Sequence, residues 1–393
     1  MELMIRICFV TGTRAEYGLL RNLIKLFNAD KSFEVQTIVT GSHLYKKYGN
    51  TQKVIKDDGI KINKKIKILD QDDNSDDPKA IIESTSKALT KISHALDKLK
   101  PNLIIILGDR YEILAASISA TFLRIPICHF HGGESTEGLI DESIRHSVSK
   151  MASLHFTANE FYRKRVIQLG ENPKNVFNVG GMGIDIIKGM KFITKKELER
   201  KLNIKFKKQI FLITFHPVTL EDDTSEWQFK NILNCLSNYK DTTLIFTYPN
   251  ADIYGNKIIS LIKKYVRLNN NSYMFKSLGQ EKYYSLLKIV DVVIGNSSSG
   301  IIEVPYFKKP TINIGERQAG RMKSNSILDT QPEIDQIKNA IDLALSKKFL
   351  NLCKKNENYY GKGGSSKKSY TIIKKIIKTL SVKKIFFDIN YKL

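Results

Sequence analysis

The chain has 393 residues, and at roughly 100–200 residues per domain that length predicts two or three domains and excludes a single small module. Hydrophobic residues make up 42% and charged residues 26%, proportions that support full-sized cores and exclude a disordered chain, collagen, a coiled coil and low-complexity protein. Lys and Arg number 63 against 40 Asp and Glu, a formal net charge of +23, but lysine is scattered along the whole length instead of gathering with arginine and aromatics on one face, so nucleic acid is not expected and small anions such as nucleotides are.

Short β-branched runs alternate with amphipathic stretches from the start, at 5–10, 35–39, 103–107, 125–130, 154–157 and 176–179. That rhythm predicts βαβ units around a parallel sheet. A polar stretch, 192–209, interrupts it with a helix-like TKKELERKL and no strand. The alternation then resumes at 210–214, 243–247, 273–275, 292–294 and 311–314. Two successive α/β halves predict two doubly wound, Rossmann-like domains, 1–185 and 186–365, facing each other across a cleft. After a loop at Lys362-Gly-Gly-Ser-Ser366, the residues Ile372, Ile373, Ile376, Ile377 and Leu380 recur at helical spacing. A final segment, 366–393, is therefore expected to be a helix whose apolar stripe packs back on the first domain, by analogy with other two-lobed folds.

Four cysteines, Cys8, Cys128, Cys235 and Cys353, lie more than 100 residues apart, which suits neither a zinc ligand set nor a disulfide framework and reads as reduced thiols. No apolar run approaches the ~20 residues that cross a bilayer, and the N-terminus enters a strand-like run at once without a leader pattern. A cytoplasmic protein with no membrane contact is expected.

In doubly wound sheets, ligands lie beyond the carboxyl ends of the strands, so the polar groups just after each run carry weight. The first run ends in Thr11-Gly12-Thr13-Arg14-Ala15-Glu16, a glycine turn opening a helix, where free N–H groups and Arg14 suit a phosphate. Neither GxGxxG nor GxxxxGK[ST] is present, so no dinucleotide cofactor is expected. After 103–107 comes Gly108-Asp109-Arg110-Tyr111-Glu112, where Asp109 alone reads equally well as a helix cap. The next run ends in His129-Phe130-His131-Gly132-Gly133-Glu134, with Asp141-Glu142-Ser143-Ile144-Arg145-His146 soon after. Carboxylates held at different pKa values can divide acid and base roles, as proton abstraction from carbon requires. The His129/His131/Glu134 group lacks HExxH spacing and a cysteine, so no metal is assigned. The second half offers Thr214-Phe215-His216-Pro217, then Gly295-Asn296-Ser297-Ser298-Ser299-Gly300-Ile301-Ile302-Glu303, then Gly315-Glu316-Arg317-Gln318-Ala319-Gly320-Arg321. A small-residue turn with hydroxyls, a following glutamate and two arginines suit the diphosphate and ribose of a nucleotide-sugar.

Taken together, GTRAEYG, GDRYEI, HFHGGE, DESIRHS, RVIQLGE, FHPVT, GNSSSGIIEVP and NIGERQAGR, in that order from about residue 5 to residue 325, resemble the UDP-N-acetylglucosamine 2-epimerase family, in particular its hydrolysing, sialic-acid-pathway branch. The resemblance implies a GT-B-like fold with UDP-GlcNAc in the cleft and N-acetylmannosamine and UDP as products, formed by C2 proton removal, UDP elimination to a 2-acetamidoglucal, and hydration with inversion at C2. It implies Asp109, Glu134, Asp141, Glu142 and His216 as acid/base groups around the sugar. It further implies Arg14, His43, His131, Ser297, Ser298, Glu303, Arg317 and Arg321 as substrate-binding residues, Tyr284 against the uracil, and a homo-oligomer, dimer or tetramer. Two departures stand out: His131 occupies a position where many members have glutamate, leaving Glu134 as the nearest carboxylate, and Leu19 stands where non-hydrolysing members have lysine. The same chemistry on a 2,4-diacetamido-6-deoxy sugar and a retaining glycosyltransferase of the same fold are the alternatives.

Overall fold

The structure is a computed structural model that describes residues 4–69, 78–137, 139–217, 224–249 and 255–390; the last two residues of the FHPVT motif lie outside them. The chain divides into two compact units: residues 1–134, 141–186 and 360–393 form the first, and residues 135–140 and 187–359 the second.

Among the described residues the first unit holds a seven-stranded sheet of β1 (Ile5–Thr11), β2 (Phe33–Val39), β3 (Lys64–Lys65), β4 (Leu103–Leu107), β5 (Ile127–Phe130), β6 (Leu154–Thr157) and β7 (Val176–Asn178), in the order β3-β2-β1-β4-β5-β6-β7. Every neighbouring pair is parallel. The run Leu-Ile-Ile-Ile-Leu of β4 is buried at all five positions, as a central parallel strand covered on both faces must be. On one face Ile7, Phe9, Leu103 and Ile105 meet Leu20, Leu23 and Phe27 of the helix Arg14–Ala29. On the other, Cys8, Val10, Ile104 and Ile106 meet Ala88 and Ile92 of the helix Pro78–Leu99 and Ile113 and Ala116 of the helix Tyr111–Phe122.

The second unit repeats the plan with six strands among the described residues, β8 (Gln209–Thr214), β9 (Thr242–Thr247), β10 (Ser272–Phe275), β11 (Val292–Gly295), β12 (Thr311–Ile314) and β13 (Ile327–Thr330), in the order β10-β9-β8-β11-β12-β13 and all parallel. In each sheet the winding direction reverses once, between β1 and β4 and between β8 and β11. Those two switch points open the crevices where such folds take ligands. Among the described residues no helix is long and apolar enough to cross a membrane.

The structure adds two strands to the sequence reading, β3 and β13. Both lie at sheet edges, and β3 is two lysines long, so neither carries the apolar run that marks a central strand. It also assigns Tyr360–Ser365 to the first unit, where the sequence reading has 186–365 in the second. Gly181 N–H donates to Tyr360 O at 2.8 Å, the Tyr162 and Tyr360 hydroxyls meet at 2.9 Å, and the Asp185 carboxylate accepts from the Gly364 and Ser366 N–H groups. Asp185 thus caps the final helix, Ser365–Ile376, inside the stretch read from sequence as a loop. That helix lays Ile373 on the core beside Phe27, and Tyr370 and Lys374 both donate to Asp30.

Candidate active site

In the first unit, two loops and a helix meet around one buried cation. Asp109 follows β4, Glu134 follows β5, and Glu142 lies in the first turn of the helix Asp141–Met151. Arg145, one turn further along that helix and 1% exposed, gives Nη2 to Asp109 Oδ2, and Nη1 to Glu142 Oε2 at 2.8 Å and to the Glu134 carbonyl at 3.0 Å. A fork of fixed geometry bonding three elements at once sets their spacing. Asp109 is therefore an ion-pair partner, while Arg110 occupies the cap position of the helix Tyr111–Phe122.

His131 sits in the left-handed region at φ +66°, a conformation histidine tolerates better than most residues. That turn brings its Nδ1 to 2.9 Å from Glu134 Oε1, while Nε2 accepts from the Met182 N–H at 3.4 Å. The neutral ring then has its proton on Nδ1, facing the Glu134 carboxylate. His129 is different: fully buried, it donates from Nε2 to Gly108 O at 2.8 Å and faces the Ser149 hydroxyl with Nδ1 at 3.2 Å. Burial drives its pKa down to about 3, which makes it a neutral spacer holding β4 and the helix Asp141–Met151 in place. Asp141 has its pKa raised to about 6, first by burial and then by the negative charge of Asp109. A carboxylic group that titrates this close to neutrality can both take and release a proton at working pH.

At the β1 turn, Arg14 opens the helix Arg14–Ala29, whose cap Thr13 accepts from Glu16 N–H at 3.2 Å. Glu16 folds back to accept from Gly12 N–H at 2.7 Å, so fewer N–H groups here are open to a phosphate than the sequence reading expects. Burial, then the charge of Glu112, raises the Glu16 pKa, which weakens the negative charge it sets against an anion. Gly41 shows how tightly this turn is built: at φ +53°, any Cβ there would stand 2.6 Å from Gly12 O. His43, expected among the substrate ligands, is fully buried beneath the turn. Its Nε2 lies 3.1 Å from Thr11 Oγ1 and its Nδ1 2.8 Å from Thr51 Oγ1, and burial lowers its pKa to about 4. Both nitrogens are occupied within the fold, so His43 supports the turn and does not line it.

The second unit builds its switch point around a neutral hub. Gly295 has φ +131°, and a Cβ there would overlap the Thr214 carbonyl, so only glycine lets β11 end this close to β8. The next residue, Asn296, is fully buried. It accepts from His216 N–H and donates to His216 O, both at 2.7 Å. Its own carbonyl accepts from Arg317 Nη1 at 3.2 Å and Gln318 Nε2 at 2.9 Å. Three strand-end loops, carrying His216, Ser297 and Arg317, are thereby joined. Ser297 caps the short helix Ser298–Ile302 through the Ser299 N–H, and Arg321 lies half-buried in the turn after β12. Glu303 accepts from Tyr284 OH at 2.7 Å and from Ser299 Oγ, and Ser299 in turn accepts from Tyr283 OH at 2.6 Å. Burial raises the Glu303 pKa. Tyr284 is 4% exposed, so in this arrangement its hydroxyl orients Glu303 while its ring is enclosed.

Sequence reasoning gave no role to Arg145, Asn296, Glu16 or Tyr283. Each fills a switch point from a side that no local motif displays. Asn296 had one usable signal, an amide between the strand-ending Gly295 and the capping Ser297.

A family model described as UDP-N-acetylglucosamine 2-epimerase matches residues 25–374. A Campylobacter jejuni protein named GDP/UDP-N,N'-diacetylbacillosamine 2-epimerase (hydrolyzing) is 45% identical over 345 residues, 88% of each chain. The Escherichia coli polysialic acid biosynthesis protein P7 is 37% identical over 98% of each chain. Among solved structures, the Neisseria meningitidis UDP-GlcNAc 2-epimerase bound to UDP-GlcNAc superposes with a TM-score of 0.82 at 18% identity, covering 95% of this chain and 100% of that one, and so matches the GT-B-like fold.

Proposed function

Because this chain belongs to the UDP-N-acetylglucosamine 2-epimerase family, we propose that it is a hydrolysing 2-epimerase, converting a UDP-linked 2-acetamido sugar and water to the free 2-epimeric sugar and UDP. The observation that carries this reading is the acidic set of the first unit: Asp109 and Glu142 on one buried arginine, Glu134 against His131, and Asp141 poised near pH 6. A carboxylate of this set takes the proton from C2 as the C1–O bond breaks and UDP leaves with the bonding pair, giving a 2-acetamidoglucal. A protonated member then gives its proton to C2 on the opposite face while water adds at C1 and yields its spare proton to a carboxylate of the set. His216, Ser297, Ser298, Glu303, Arg317 and Arg321 serve the nucleotide in the second unit, and Arg14 serves the diphosphate from the β1 turn.

UDP-GlcNAc, yielding N-acetylmannosamine, is the substrate the motifs imply. A second reading, UDP-N,N'-diacetylbacillosamine, is favoured by the 45% identity to the Campylobacter protein against 37% to the polysialic acid protein. Each UDP-sugar is incubated with purified protein in D2O and followed by proton NMR. Release of UDP together with a free sugar deuterated at C2 is expected, and the ratio of the two kcat/KM values selects the substrate. A product that keeps protium at C2 rules out proton abstraction there, and an unchanged nucleotide-linked 2-epimer rules out the hydrolytic outcome.

A further inference from the structure

The helix Asp141–Met151 carries Asp141, Glu142 and Arg145 in its first turns. Its other end, about 16 Å away at 1.5 Å per residue, meets chain that lies beyond the final helix and has no part in the site described above. Lys384 Nζ donates to the carbonyls of Lys150 and Ala152, each at 2.6 Å, and stands 2.7 Å from Glu171 Oε2. Glu171 is itself buried, and it also receives Lys150 Nζ at 2.7 Å and His155 Nε2 at 3.0 Å. The tail is fastened again just after that lysine. Phe387 N–H donates to Gly170 O at 2.9 Å, and the Phe386 ring packs against Gly170 with Lys150 Nζ 4.8 Å from its centre.

A cation at the last carbonyls of a helix meets the negative pole of its dipole and satisfies acceptors that the helix itself leaves open. Here the cation comes from more than 230 residues further along the chain and is pinned to a buried carboxylate, so it fixes where the helix ends. We propose that Lys384 is a positioning residue: by seating the C-terminal end of the helix Asp141–Met151 against Glu171, it sets the height and rotation at which Asp141, Glu142 and Arg145 are presented to the substrate. The inference rests on the functional reading above for what those side chains do.

The experiment compares full-length wild type with Lys384→Met, Lys384→Arg and Ile385→Ala, the last altering an 83% exposed side chain on the same tail. Small misplacements of reacting groups weigh on turnover more than on binding, so Lys384→Met is expected to lower kcat at least ~10-fold with KM within about twofold. Arg is expected to restore most of the loss, and Ile385→Ala to leave turnover unchanged. Amide exchange across 145–151, measured without substrate, is expected to quicken in the Met variant and to return in the Arg variant. If Lys384→Met does not fold, Lys384→Gln takes its place with the same split expected. Unchanged exchange, a kcat within twofold of wild type, or an equal loss in Ile385→Ala overturns the proposal. A wild-type chain that cleaves no UDP-sugar overturns the functional reading instead, and the exchange measurement still decides whether Lys384 holds the helix.

Discussion

The two switch points are built on the same topology and held by opposite chemistry. In the first unit a buried guanidinium joins three strand-end elements through two carboxylates and a carbonyl. In the second a buried amide joins three loops through backbone groups and two side chains. A charged hub holds carboxylates in fixed places around one cation, which suits proton movement. A neutral amide fixes loops without adding charge of its own and holds the Arg317 guanidinium at the same strand ends. The difference supports the proposed division, with chemistry in the first unit and nucleotide binding in the second.

Removing each hub gives the largest expected contrast. Arg145→Met leaves two carboxylates repelling each other without their counter-charge, and should cost about 3 kcal/mol, the low end for a broken buried ion pair because Asp109 and Glu142 each keep about a quarter of their surface exposed. Asn296→Ala breaks neutral hydrogen bonds and should cost about 1–3 kcal/mol. Urea unfolding of both variants measures this, and an asparagine variant that loses more than the arginine variant reverses the contrast.

Turnover sharpens the same division. Asp109→Asn and Glu134→Gln should each lower kcat at least ~10²-fold with little change in KM, the scale of losing a general acid or base. Because of His131, Asp141 or Glu142 is the competing second carboxylate; if one of them is the true partner, its amide variant loses turnover and Glu134→Gln raises KM instead. The pH profile identifies the base. Asp141 titrates at about 6 instead of its ordinary 3.8, so as a base its active form is complete well above pH 6 and lost as pH falls through 6. The acid limb of kcat should then lie near pH 6 in wild type and vanish in Asp141→Asn; a limb on the alkaline side makes Asp141 the acid.

Binding variants follow with smaller effects. Arg14→Ala should weaken UDP by about 1.5–3 kcal/mol as a lost charge-assisted contact, and Ser298→Ala by about 1 kcal/mol as a lost hydroxyl contact. Calorimetry reads both, and wild-type affinity in the pair removes these residues from the nucleotide site.

The framework beneath this contrast, two sheets with polar strand ends, is legible in the sequence; the two hubs are not. Alternating apolar runs give both sheets because a buried parallel strand has to be apolar throughout, and the polar residues just after each run fall at the strand ends by construction. What stayed hidden depends on residues distant in sequence. The edge strand β3 is made of two lysines, the final helix starts on a cap from Asp185 nearly 180 residues earlier, and His43 looks like any histidine at a strand end until Thr11 and Thr51 are seen to occupy both its nitrogens. Arg145 stood in a quoted motif among acids, and only its burial separates a hub from a solvated surface arginine.

The smallest expected effect bears on the one place where the resemblance and the geometry point to different atoms of the same side chain. The resemblance puts the ring of Tyr284 against the base of the nucleotide. The structure encloses that ring and puts its hydroxyl 2.7 Å from Glu303 Oε1, with Ser299 on the other oxygen. Burial raises the Glu303 pKa, so each donor to its oxygens helps keep it ionised, and as the carboxylate it can accept from two ribose hydroxyls at once. Tyr284→Phe keeps the ring and deletes the hydroxyl. If the hydroxyl matters through Glu303, UDP binding should weaken by about 1 kcal/mol, roughly fivefold in Kd, with a larger share of the loss at lower pH, where the unsupported carboxylate is protonated first. If only the ring matters, Tyr284→Phe binds like wild type at every pH while Tyr284→Ala does not. A uridine ligand lacking the ribose hydroxyls completes the cycle: it should bind wild type and Tyr284→Phe equally, because the group that Glu303 is held in place to receive is gone.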